Sequence, residues 1–153
     1  MNKKGVTLIE LLVVMVIIAI GAALTTPNIG GWLTNYRLRS AAREVASTLR
    51  LAQIKAVSCN TRYQVVFDTA NNSYITQYRD TSGAWVAEGG NQALPTGVRI
   101  NTDFGNVAIF ASNSTATDGG GNIIPSGNIT LNNPRGMTKA VRLLGLTGRI
   151  KIE

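Results

Sequence analysis

Histidine is absent from this 153-residue chain, and cysteine occurs once, at Cys59. Without histidine there is no imidazole general base, no imidazole metal ligand and no Ser-His-Asp arrangement. A single cysteine excludes an intramolecular disulfide, and with neither His nor further Cys it builds no zinc site. Cys59 is expected as a small residue at the end of a buried helix. Acidic residues are also scarce, at 8 against 15 lysines and arginines. Asp68, Asp80, Glu88, Asp103 and Asp118 are scattered among expected loops and strand ends, with no carboxylate pair or nucleophile motif among them. Gly119, Gly120 and Gly121 are followed by no Lys-Ser/Thr pair, so they are not a phosphate cradle. No repeat is visible. The chain is therefore expected not to be an enzyme and to carry no metal or cofactor. The formal charge of +7 leaves two readings open. One is a polyanionic partner such as nucleic acid, anionic lipid or acidic polysaccharide; the other is an ordinary basic surface.

Hydrophobic residues make up 44% of the chain, enough for one packed domain with an appendage. Much of that content lies near the start. Residues 1–5 read MNKKG, and residues 6–24 read VTLIELLVVMVIIAIGAAL, with Glu10 as the one charge. A helix needs about 20 apolar residues to cross a bilayer, so this run spans or nearly spans it, with Lys3 and Lys4 holding the N-terminus on the cytoplasmic side. A secretory signal peptide is the competing reading, with cleavage near residues 21–27. Glu10 argues against it. A charged side chain costs about 2.5–3.5 kcal/mol at the centre of a membrane helix, less near its ends, unless a partner compensates.

The segment Lys4-Gly5-Val6-Thr7-Leu8-Ile9-Glu10-Leu11-Leu12-Val13 resembles the leader junction of type IV prepilins and type II secretion pseudopilins. The resemblance implies that a prepilin peptidase cuts between Gly5 and Val6 and methylates the new amino terminus of Val6. It also implies that Glu10 serves subunit assembly by pairing with the amino terminus of a neighbouring subunit. Opposite charges in hydrocarbon stabilise each other and fix register. The family usually begins its mature chain with Phe or Met; this chain offers Val6.

Beyond the apolar run, Pro27 is expected to kink the helix and Gly30-Gly31 to add a flexible point. Leu38, Ala42, Val45, Leu49, Ala52 and Ala56 then recur at spacings of three and four, which predicts an amphipathic helix to about Ser58. Arg39, Arg43 and Arg50 fall together on another face, either as a solvated face or as a basic stripe for subunits or a polyanion. After Asn60 the period changes. Residues 62–68, 73–79, 84–87, 98–101, 107–111, 128–131, 140–144 and 149–152 read as strands. Residues 112–127, rich in Ser, Asn, Thr and Gly, read as a long surface loop.

The end of the chain, with Leu146-Thr147-Gly148-Arg149 leading into alternating residues, resembles the C-terminal signature of the GspH/FimT family of minor pseudopilins. This implies an α+β, pilin-like fold, with a long N-terminal membrane-anchoring and assembly helix packed on an antiparallel β-rich C-terminal domain. The expected divisions are a leader at 1–5, a transmembrane and assembly helix at 6–27, its amphipathic continuation at 28–58 and a GspH/FimT-like globular domain at 59–153. Expected partners are other pilins or pseudopilins, the prepilin peptidase and inner-membrane lipid, with the globular domain in the periplasm. In DNA-binding members a Gly-Arg-x-Arg tail is implicated. Here Gly148, Arg149 and Lys151 match it, with Lys in the last place, and Arg142 adds a nearby cation. Residues 135–153 hold five basic residues against one acidic. Two readings are open: a tail that neutralises phosphates of double-stranded DNA without reading sequence, or a terminal strand with ordinary exposed cations. The expected function is thus a minor pilin of a type IV pilus, aiding filament initiation and binding DNA for uptake. The alternative is a GspH-type pseudopilin of type II secretion with no nucleic-acid role.

Overall fold

The computed structural model describes residues 5–25 and 29–153. The expected kink at Pro27 and the lysines Lys3 and Lys4 lie outside the described residues. Helix α1 (Leu8–Thr25) has 18 residues, all apolar or small apart from Glu10 and its last threonine. At 1.5 Å per residue it is about 27 Å long, short of a hydrocarbon core of about 30 Å. Among the described residues no helix is long and apolar enough to cross a membrane; residues 26–27 of the span expected over 6–27 lie outside the described residues. Helix α2 (Ile29–Ser58) follows, with Gly30 and Gly31 inside its first turn and not at a break. Residues 34–153 form one compact unit and are described apart from residues 1–33.

Within that compact unit, α2 buries the stripe read from its spacing. Leu38, Ala42, Val45, Leu49, Ala52 and Ala56 are buried, joined by Ala41 and Ala46. Two antiparallel sheets supply the rest of the core. One has the order β3-β2-β1-β6-β7, built from β1 (Tyr63–Asp68), β2 (Ser73–Arg79), β3 (Trp85–Ala87), β6 (Val107–Phe110) and β7 (Ala116–Thr117); β4 (Gln92–Ala93) also pairs with β2. The other runs β10-β9-β8-β5, built from β5 (Arg99–Thr102), β8 (Gly127–Asn132), β9 (Thr138–Leu144) and β10 (Arg149–Ile152). Val65, Phe67, Phe110, Ile129, Leu131, Val141 and Leu143 point inward from the two sheets.

The sheets are tied together at two places. Gly145 donates its N–H to Ile124 O and accepts from Ala116 N, both at 2.8 Å. On the other side, Asn72, held at φ 49°, accepts the N–H of Ile100 on its side-chain oxygen at 3.2 Å. The first tie explains why residues 112–127 are not the free surface loop their composition suggests. Ala116 and Ile124 are core residues, β7 begins at the first of them, and Asp118 gathers the backbone N–H groups of Gly120 and Asn122 at 2.9 Å. Cys59 also departs from expectation: it sits just beyond α2 and is exposed. Helix α2 ends one residue before it, so no packing face covers its side chain.

Tyr74 links α2 to β2. Its ring is buried, and its hydroxyl donates to Glu44 Oε1 at 3.0 Å. Burial pushes the phenol up to about 12, with the Glu44 carboxylate adding to the rise and a hydrogen bond with Thr48 opposing it. Unfolded tyrosine ionises near 10. Below that both states hold the proton, and between the two values only the unfolded chain releases it, so stability falls as pH rises through this window. Denaturant melts between about pH 10 and about pH 12 are expected to show this fall, and Tyr74→Phe is expected to flatten it. Tyr63, also raised by burial, leaves a residual slope.

Candidate functional site

Two groups of residues stand out in the sequence, one at each end of the chain. At the start, Gly5 to Thr7 are non-helical, and Val6 is 73% exposed. Thr7 is the N-cap of α1. Its carbonyl accepts the N–H of Glu10 at 3.1 Å and of Leu11 at 3.2 Å, and its hydroxyl accepts the Glu10 N–H at 3.4 Å. Glu10 is therefore the third residue of the helix, where a carboxylate interacts favourably with the helix dipole. The Thr7-x-x-Glu10 spacing is that of a capping box, of which the structure shows the Thr7 half. Past this cap, Leu8, Ile9, Met15, Ile17, Ile18 and Ile20 are all exposed, so the apolar surface of α1 runs around its whole circumference.

At the other end, β9 and β10 form a hairpin in which Lys151 stands opposite Arg142 and Arg149 opposite Leu144. Strand alternation puts Arg142, Arg149 and Lys151 on the outer face, while Val141, Leu143 and Ile150 enter the core. The tail cations named from the sequence are thus brought together. They are not equivalent. Arg142 Nε donates to Ser126 Oγ at 2.9 Å, and its Nη1 lies 3.9 Å from Glu153 Oε1, so part of its charge is offset. Arg149 and Lys151 are in no ion pair among the described residues. Gly148 positions them. Its φ of 61° favours glycine, and a Cβ there would run into the Gln53 side chain and the Ser114 carbonyl. Gln53 carries no signal in the sequence; only its place on α2, opposite the tail, reveals it.

The acidic residues do not form a site. Asp68 holds Asn71, Asp80 holds Ser82, Asp103 holds Asn128 and Glu88 pairs with Lys55 at 2.9 Å. Hydrogen bonds from Asn71 and from Ser82 keep the Asp68 and Asp80 carboxyls below the ordinary carboxylate range. Among the described residues no cluster of His, Cys, Asp or Glu offers a metal site.

A capped apolar leading helix, with a second helix packed into two antiparallel sheets, defines a pilin-like subunit. The family comparisons sharpen this. Residues 1–26 match the prokaryotic N-terminal methylation motif, and residues 41–147 match the family of type II transport protein GspH. The chain belongs to the GspH family. Among solved structures it resembles the minor pseudopilin EpsH of the Vibrio cholerae type 2 secretion system, at 11% identity and TM-score 0.63, over 76% of this chain and 96% of that one. It also resembles the type IV minor pilin FimU of Pseudomonas aeruginosa, at 17% identity and TM-score 0.61, over 78% of this chain and 90% of that one. At these identities the likeness is one of fold. No curated protein sequence matches the chain.

The geometry at Gly148 makes a stability prediction. Gly148→Ala is expected to destabilise the domain by about 1–3 kcal/mol, through overpacking against Gln53 and the strained φ. Arg149→Ala, one residue away but exposed, is expected to stay within about 0.5 kcal/mol of the parent. Denaturant melts of the two variants test the difference.

Proposed function

We propose that this protein is a minor pilin or pseudopilin, inserted into the inner membrane and then into a type IV filament through α1. The supporting observation is the apolar surface exposed all around that helix. A helix apolar on every side needs cover from lipid or from neighbouring helices. The shortfall of about 3 Å against the hydrocarbon core is met by local thinning of the bilayer, at a fraction of a kcal/mol per Å. In this reading prepilin peptidase cleaves between Gly5 and Val6, Val6 is N-methylated, and Glu10 pairs with the amino terminus of the next subunit. The exposure of Gly5 and Val6 suits access by a peptidase. The globular domain stands in the periplasm, and the partners are other pilins or pseudopilins.

Two measurements test this reading. Mass spectrometry of protein from cells is expected to find Val6 as a methylated first residue, and a bulky substitution at Gly5 is expected to leave residues 1–5 attached. Glu10→Ala is expected to abolish recovery in sheared filaments while the protein remains in the membrane. Equal recovery of variant and parent would contradict the assembly role.

The type IV pilus reading, with double-stranded DNA as a ligand, is favoured by one observation: Arg142, Arg149 and Lys151 share one exposed sheet face. In the full-length protein in a neutral detergent, DNA affinity is expected to fall with salt. Arg149→Ala combined with Lys151→Ala is expected to lower the log–log salt slope by about 0.9 for each phosphate no longer neutralised. The type II secretion branch, whose partners are other pseudopilins, predicts no salt-dependent DNA affinity.

A further inference from the structure

A second basic feature lies around the free edge of β10, where α2 runs alongside it. Gln53 abuts Gly148, Arg50 donates to Ile150 O at 3.1 Å, and a trough of about 250 Å³ opens between Arg39, Ala42, Arg43, Lys139 and Ile152. Arg39 and Arg43 are one helical turn apart, about 6 Å along the axis, and Lys139 comes from the second strand of the same sheet. Ala42 and Ile152 supply its aliphatic lining. No carboxylate lines the trough, and none of its three cations is in an ion pair among the described residues. The nearby acids are engaged elsewhere: Glu44 accepts from Tyr74, and Glu153 lies toward Arg142.

Three cations converging on one trough repel each other when it is empty, and that repulsion is relieved by an anion. Two guanidiniums and an ammonium suit phosphate oxygens, which guanidinium groups meet with paired N–H bonds. The trough is also one end of a longer track. From Arg39 to Arg50 the cations of α2 extend about 16 Å, and on the other side of β10 stand Arg149 and Lys151. A compact anion fills only one end of such a track, whereas a polyanion with regularly repeated charges fills it throughout.

We infer that the trough formed by Arg39, Arg43 and Lys139 holds phosphates of a nucleic-acid backbone, so that a bound strand crosses the edge of β10 from the Arg149–Lys151 face onto α2. This rests on the DNA reading above and extends it to residues outside the tail. The interaction is with phosphate alone, so it is independent of base sequence.

The test is a titration of double-stranded DNA with the full-length protein in neutral detergent, at about 50 mM and about 200 mM salt. The variant Arg39→Gln/Arg43→Gln/Lys139→Gln is expected to bind about tenfold or more weakly at the lower salt, with a slope reduced by about 0.9 for each phosphate released. Arg39→Lys/Arg43→Lys, which keeps the charge, is expected to retain most of the slope. Should the triple variant misfold by thermal melt, Lys139→Gln alone reads the same effect, as a slope smaller by about 0.9. If the trough variants titrate like the parent while Arg149→Ala/Lys151→Ala is weakened, the trough inference is overturned and the tail reading stands. If the parent shows no salt-dependent affinity, the DNA reading fails and the inference with it. Loss of binding to phosphatidylglycerol vesicles with unchanged DNA affinity also overturns it, by assigning the trough to lipid.

Discussion

The packing of α2 against two sheets at once is the constraint on which the domain rests. A helix that serves two sheets must have little bulk on the buried side, and five alanines meet this need: Ala41, Ala42, Ala46, Ala52 and Ala56 are each buried. Leu38, Val45 and Leu49 fill the wider gaps between them and share one core with Phe67, Phe110, Ile129 and Leu143. Close-packed interiors tolerate neither added nor missing methylenes without loss. The same packing sets the position of everything on the rim of the helix. Glu44 meets Tyr74, Asn35 meets Asn133, Arg50 meets the β10 backbone and Gln53 meets the β9–β10 turn.

Charge is distributed by the same logic. Carboxylates are consumed in ordering turns, as with Asp118 and the Gly119–Gly121 segment, or in pairing with cations at the periphery, as with Glu88 and Lys55. Cations are left over on α2 and on the last two strands, which are neighbours in space through the bond from Arg50 to Ile150, 100 residues apart in sequence. Part of a positive charge that reads as diffuse in composition is thus gathered along one flank, while Arg62, Arg79 and Arg99 lie elsewhere.

Much of this is legible in the residues. All six residues of the α2 stripe read from the three-and-four spacing are buried, because burial of one helical face leaves that period in the sequence, although Ala41 and Ala46 widen the face beyond it. The β1–β2 hairpin is equally plain, since both strands alternate and a polar turn joins them. Strands β4 and β7, two residues each, carry no period to read. The role of Gly145 is hidden because it depends on partners at Ala116 and Ile124. At the sites, the tail cations are readable as neighbours because alternation on a hairpin puts them on one face. Lys139 and Gln53 are not, as their places depend on where α2 lies against the sheet. Thr7 is readable in principle: a threonine three residues before a glutamate at the head of an apolar run is a cap signal. Cys59 escapes its expected burial because the helix ends one residue too early to cover it.

The bond from Arg50 to the Ile150 carbonyl has a bearing on how copies of this subunit can join. Outermost strands with free backbone groups invite another chain to extend the sheet. Here a guanidinium already occupies one such oxygen, and the flank of α2 lies along that border. Extension of the sheet by another chain is therefore discouraged at this margin.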